Sequence, residues 1–149
     1  MTTEQHPAPT ASLQVGGQDD ELEQRLDHEL TAFNTDATAT ARPDEFSVRL
    51  TDADGELAGG LTGWIWGTLC AVEMLWVRED QRHRGWGAEL LKAAEEEGAR
   101  RGCTDAMVSS YTFQAPGFYR RQGYRETGRI TGVPGGHEDV YFHKSLVAS

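Results

Sequence analysis

Apolar residues follow one period before residue 46 and another after it. Leu22, Leu26, Leu30 and Phe33 recur at spacings of four, four and three, which gathers them on one face of a helix. Asp19 or Asp20 can cap its start, and Glu23 falls in the first turn, where the helix dipole favours an acid. Thr35 to Pro43 reads as an Ala/Thr-rich connection. Ahead of the helix, residues 1–18 carry Pro7, Pro9, Gly16 and Gly17 among small polar residues and read as a disordered tail.

From Phe46 the period becomes two. Phe46, Val48 and Leu50 alternate with polar residues, as in a half-buried strand. Asp52-Ala-Asp54-Gly55 is a turn signal, Leu57 to Trp66 returns, and Gly67-Thr68 turns the chain again into Leu69 to Val77. The three strands predict an antiparallel meander. A polar loop from Arg78 to Gly87 leads into a helix over Ala88 to Arg101, with Leu90, Leu91, Ala94 and Gly98 on one side. Glu96/Arg100 and Glu97/Arg101 stand four apart and support it, and Gly102 is placed to end it.

Thr104 to Ser110 then reads as a strand, so strand, helix and strand form a crossover whose strands run parallel. A short helix over Phe118 to Gln122, a strand near Tyr124 to Ile130, a Gly-rich loop and a last strand, Asp139 to Leu146, complete the chain. The fold class expected is mixed α/β with one central sheet, and residues 19–149 form a single domain.

Composition narrows the function. The formal net charge is −10, with 24 acids against 14 bases, and the first 45 residues hold ten of the acids and two of the bases. Such a balance disfavours nucleic acid, whose phosphates need a basic footprint, and an anionic membrane surface. The most apolar stretch, Leu57 to Val77, is broken by Gly59, Gly60, Gly63, Gly67 and Glu73, so no membrane span is expected. The start of the chain has no basic region followed by an apolar run. Two cysteines, Cys70 and Cys103, have neither a disulfide framework nor metal-ligand spacing. A reduced, cytoplasmic protein without a metal is the expectation.

Chemistry concentrates in Arg82-His83-Arg84-Gly85-Trp86-Gly87, which runs directly into a helix. A Gly-rich loop at a helix N-terminus presents unpaired backbone N–H groups and the positive end of the helix dipole, a site suited to phosphate. Arg78, Arg82 and Arg84 add charge. By itself the segment reads equally as a solvated strand–helix connection. It lacks the Gly-Lys-Ser/Thr ending of a P-loop and the third glycine of a dinucleotide fingerprint.

Arg82-x-x-Gly85-x-Gly87 resembles the Arg/Gln-x-x-Gly-x-Gly/Ala acetyl-CoA loop of the GNAT acyltransferase superfamily, following an apolar strand and opening a helix as it does there. Downstream, Ala115-Pro-Gly-Phe118-Tyr119-Arg-Arg-Gln-Gly123-Tyr124 resembles that family's Ala-x-x-Phe-Tyr-x-x-x-Gly-Phe/Tyr segment. The resemblance covers residues 46–146 and implies a mostly antiparallel mixed sheet splayed around a β-loop-α-β unit. It implies acetyl transfer from acetyl-CoA, as co-substrate, to an amine.

Residue roles follow from the resemblance. Backbone groups of Leu75 and Val77 are expected to pair with the pantetheine arm, the Leu75 N–H also bonding the thioester oxygen. The loop from Arg82 through His83, Arg84, Gly85, Trp86, Gly87 and Ala88 is expected to hold the pyrophosphate. Tyr119 aligns with the tyrosine that protonates the departing thiolate; its alternative is a buried aromatic on a short helix. Thr112 stands where many relatives carry a pantetheine-binding Asn, with Gln114 or Ser110 as substitutes.

Glu73 is the candidate base, placed by alternation on the strand face of Leu75 and Val77, and His137 is the second candidate. A small-molecule amine is the expected acceptor, and the acidic front of the chain points to a cationic one. A protein lysine or N-terminal amine is the alternative acceptor, a non-catalytic acyl-CoA-binding module the alternative class, and a homodimer through the last strand or sheet edge is compatible with the pattern.

Overall fold

Asp19 accepts the Leu22 N–H through its carboxylate at 3.0 Å and starts helix α1, Asp20–Thr38. The computed structural model describes residues 11–40 and 42–147; most of the expected tail, residues 1–10, lies outside them. The helix runs into the expected Ala/Thr connection as far as Thr38, with the Thr35 and Thr38 hydroxyls turned back onto the carbonyls of Thr31 and Asn34. It ends at Ala39 in the left-handed region. Leu22, Leu26, Leu30 and Phe33 share one face and are exposed among the described residues.

The chain divides into two compact units, the first reaching Arg42 and the second starting at Pro43. The second is built on a six-stranded sheet: β1 Asp44–Thr51, β2 Leu57–Trp66, β3 Leu69–Val77, β4 Asp105–Tyr111, β5 Arg125–Val133 and β6 His137–Ser145. Their order across the sheet is β1-β2-β3-β4-β6-β5, and every pair is antiparallel except β3 with β4. Helix α2, Trp86–Arg100, makes the crossover between those two, and α3 is Pro116–Arg121. This is the mixed α/β class that the periodicity predicts. Among the described residues no helix is long and apolar enough to cross a membrane.

The core lies on the sheet face that α2 covers. Leu61, Val72, Val108, Val140 and Phe142 meet Leu90, Leu91 and Ala94 there, with Tyr119 and Tyr124 closing the α3 end. Gly98 lets α2 approach the sheet, since a Cβ there would stand 3.2 Å from Cys70. Gly102, at φ +90°, ends the helical run as expected, and the Cys103 N–H then closes onto the Gly98 carbonyl. The half-buried carboxylate of Glu97 takes both Arg100 and Arg101, so the expected Glu96/Arg100 pair is replaced by one three residues apart.

Two local features shape the sheet where function is expected. β3 and β4 pair only from Leu69↔Asp105 to Ala71↔Met107 and then part. β2 and β3 are in register at Thr62↔Met74 and again at Gly63↔Val72, which leaves Glu73 as an inserted residue. Only glycine fits at position 63: a Cβ there would run into the Ala71 carbonyl oxygen and the Phe46 ring.

Candidate active site

The bulge changes the expected placement of Glu73. Leu75 pairs with Leu61 and Val72 with Gly63, so Cys70, Val72, Leu75 and Val77 all face α2. Strict alternation puts Glu73 with them; the inserted residue instead joins Met74 on the opposite face, where both are exposed. There Glu45, Ser47, Thr62, Glu73 and Met74 line an open cavity of about 370 Å³ over the Phe46–Gly63 backbone. The Thr62 hydroxyl lies buried beneath this face without a hydrogen-bond partner among the described residues. Sequence reading missed Glu45, Ser47 and Thr62. The available signal was Gly63, a glycine inside a strand.

The strand end beside the parting supplies free backbone. The Arg78 N–H donates to the Ala58 carbonyl on β2 at 2.8 Å. Alternation then turns Leu75 and Val77 away from β2, toward the gap that β4 leaves. Leu75 keeps its N–H and C=O there. The Val77 carbonyl is taken by Arg82, whose Nε donates to it at 2.8 Å, so Val77 has only its N–H to offer.

Arg78 is not available as a phosphate ligand. Its guanidinium donates to Asp52, to Asp80 and to the Leu57 carbonyl, tying the β1–β2 turn to the end of β3. The Asp80 carboxyl is held below the usual carboxylate range by this arginine, and that of Asp52 by the Glu56 N–H first and Arg78 second. The expected trio of loop cations is therefore reduced to Arg82 and the exposed Arg84.

His83 adopts φ +61° and Gly85 φ +84°, so left-handed residues bracket Arg84 and curl the loop. Gly85 caps α2 with no side chain, and the first intrahelical bond is Glu89 N–H to Gly85 C=O at 3.1 Å. The N–H groups of Trp86, Gly87 and Ala88 at this uncapped start have no intrahelical acceptor. The arrangement fits a pyrophosphate. Trp86 is exposed, and the Phe118 ring packs against Gly87.

Phe118 carries α3 to the same place. Its ring meets Tyr119 edge-on, with centroids 5.1 Å apart, and Tyr119 packs in turn on Tyr124 and Phe142. Burial pushes the Tyr119 phenol above its ordinary value, and its hydroxyl makes no hydrogen bond among the described residues. The Ala115 N–H at the α3 entry donates to the buried Ser110 hydroxyl at 3.3 Å. Below Tyr119, Glu95 accepts from Tyr124 at 2.9 Å and from Lys144 at 2.8 Å, locking α2 and β6 to the turn after α3.

Thr112 and Gln114 have their oxygens committed elsewhere. The Thr112 hydroxyl accepts the Glu138 N–H at 3.1 Å and bonds His137 Nδ1 at 2.9 Å; Gln114 Oε1 accepts the Tyr111 N–H at 2.9 Å. His137 bonds the Thr112 hydroxyl and packs edge-on against Phe113 at the start of β6.

The family model described as the acetyltransferase (GNAT) family matches residues 10–124. A blasticidin-S acetyltransferase of Streptomyces morookaense is 38% identical over 109 residues, 72% of this chain and 80% of that protein. The crystal structure of an acetyltransferase from Bacillus cereus superposes with TM-score 0.78 at 29% identity, covering 89% of this chain and 97% of that one. An aminoglycoside 6′-N-acetyltransferase complexed with coenzyme A shares the fold at TM-score 0.64 and 18% identity, over 88% of this chain and 94% of that one. The chain belongs to the GNAT acetyltransferases.

Proposed function

We propose that this enzyme transfers the acetyl group of acetyl-CoA to a primary amine of a small molecule by direct attack, and that the acceptor is cationic. The observation that carries the reading is the gap between β3 and β4 beyond Ala71–Met107. It has the backbone of Leu75 on one edge, the uncapped α2 start at its mouth, Glu73 on one sheet face and Tyr119 on the other. The blasticidin-S acetyltransferase likeness supports a small-molecule acceptor over a protein amine. The family match spans both units, which supports residues 19–149 working as one domain.

Acetyl-CoA, when bound, supplies the acetyl group as a thioester. Backbone N–H groups from Arg84 to Ala88, with Arg82 and Arg84, hold its phosphates. The Leu75 N–H donates to the thioester oxygen, where negative charge grows. An acceptor amine arrives mostly protonated at neutral pH. Glu73, on the open face, takes its proton and frees the lone pair. Tyr119 stays protonated because it is buried, and donates to the departing sulfur from the other face. Thr112 and Gln114 play no part in this scheme, since their oxygens serve the β4–α3 turn.

A panel of small amines assayed by thiol release tests the reading. Turnover of small cationic amines, with lysine peptides and N-terminal peptides at least tenfold poorer in kcat/KM, is expected. Preference for the peptides overturns it.

A further inference from the structure

Two arginines end α3, and the fold treats them differently. Arg120 lies over the Phe142 ring, 5.5 Å from its centroid, and pairs with Glu126, so its charge is answered within the protein. Arg121 is exposed and makes no hydrogen bond or ion pair among the described residues. It follows Phe118 by three residues and so stands on the side of α3 that meets Gly87 at the start of α2. Its guanidinium runs back along α3, with Nη1 3.2 Å from the place a Cβ on Gly117 would take. Gly117 has no left-handed backbone angle that requires a glycine; its missing side chain leaves room for this guanidinium. An unanswered cation is thus held beside the uncapped start of α2.

We propose that Arg121 binds the 3′-phosphate of coenzyme A, an assignment that rests on the reading of acetyl-CoA as the donor. The coenzyme carries a diphosphate at the ribose 5′ position and a separate phosphate at the 3′ position. The diphosphate is matched by the N–H groups of the α2 start, with Arg82 and Arg84. Arg78 is tied to Asp52 and Asp80 and does not serve the remaining phosphate. Arg121 comes from a different element, next to the Phe118–Gly87 contact, with its whole guanidinium unpaired among the described residues. The guanidinium fork matches a terminal phosphate through two parallel N–H···O bonds. In a chain of net charge −10 the surrounding field repels a phosphate dianion, so holding it calls for a local cation. Arg121 is thus a specificity residue for the donor: it separates the 3′-phosphorylated coenzyme from the form that lacks this group.

The test titrates coenzyme A and 3′-dephospho-coenzyme A into the full chain by calorimetry, with no turnover required. Wild type is expected to bind coenzyme A about tenfold tighter than the dephospho form. Arg121→Ala brings the two Kd values within about twofold of each other by weakening coenzyme A alone. Its unchanged binding of the dephospho form shows that the rest of the site is intact. Arg120→Ala removes an equal charge from the neighbouring position and keeps the wild-type ratio. Equal binding of the two ligands by wild type, a ratio untouched by Arg121→Ala, or the same loss of preference in Arg120→Ala overturns the assignment and leaves acetyl-CoA standing as the donor. Binding of neither ligand by wild type overturns the donor reading and the assignment with it.

Discussion

Opposite Thr62 the third strand carries one residue too many, and that residue is Glu73. The insertion turns its carboxylate out of the α2 side of the sheet and onto the open face, beside Glu45, Ser47 and Met74. A base on that face removes a proton before attack, so its value is greatest where free amine is scarce. Glu73→Gln is expected to lower kcat/KM about a hundredfold at neutral pH. The deficit narrows as pH rises toward the acceptor's own pKa. A pH–rate profile of variant against wild type checks this, and parallel profiles contradict it.

Arg82 links the phosphate loop to the end of β3 through its bond to the Val77 carbonyl. Arg82→Ala loses both that tie and a charge assigned to the phosphates in the proposed scheme. The Kd for acetyl-CoA is expected to rise about tenfold, near 1.4 kcal/mol. Arg82→Lys recovers the charge but not the directed bond, and so restores only part of the loss. Calorimetric titration measures both; full rescue by lysine assigns the effect to charge alone.

His83 and Gly85 sit at left-handed backbone angles for the same reason, to curl the loop, but only one of them is suited to it. His83→Gly relieves a strained side chain and is expected to stabilise the fold by about 1 kcal/mol, a Tm gain of roughly 2–4 °C. Acetyl-CoA affinity stays within about twofold, since only the backbone is used. Gly85→Ala imposes the same strain at the cap of α2 and is expected to lower both Tm and affinity. Thermal melts with and without ligand decide the pair; a fall in Tm for His83→Gly contradicts the loop's description.

Alkaline pH attacks the core beneath the site. Burial pushes the Cys70 thiol up to about 11. Burial, helped by Glu95, lifts Tyr124 above the ordinary phenol range, and burial alone raises Tyr119. The folded protein keeps these protons when the unfolded chain has released them. Stability is therefore full below about pH 9 and falls as pH rises, by about 1.4 kcal/mol per pH unit for each group held protonated only in the fold. Urea unfolding from pH 8 to 11 measures the slope, which Tyr124→Phe reduces above pH 10. A flat profile contradicts the buried network.

Much of this was legible in the sequence, because period and punctuation are local. Phe46, Val48 and Leu50 alternate, Leu90, Leu91 and Ala94 follow the helical repeat, and Gly102 ends α2 where its position suggests. The uncapped start of α2 was legible as a pattern of glycines before a helix. What escaped depends on registry between distant segments. The bulge that moves Glu73 is visible only once β2 is laid beside β3, although Gly63 marked the place. Arg78 looked like a phosphate ligand until the fold brought Asp52 to it from 26 residues away. Thr112 looked free until β6 returned with Glu138 and His137. The cavity residues Glu45, Ser47 and Thr62 come from two strands and share no sequence signature.

The most direct measurement concerns Tyr119, whose ring is buried and whose unbonded hydroxyl is assigned the proton that leaves with the thiol. In Tyr119→Phe the ring still packs on Phe118, Tyr124 and Phe142, so acetyl-CoA is expected to bind with a Kd within about twofold of wild type. The kcat for thiol release with a small amine is expected to fall by about a hundredfold or more. An unchanged kcat, with the Kd also unchanged, contradicts the account.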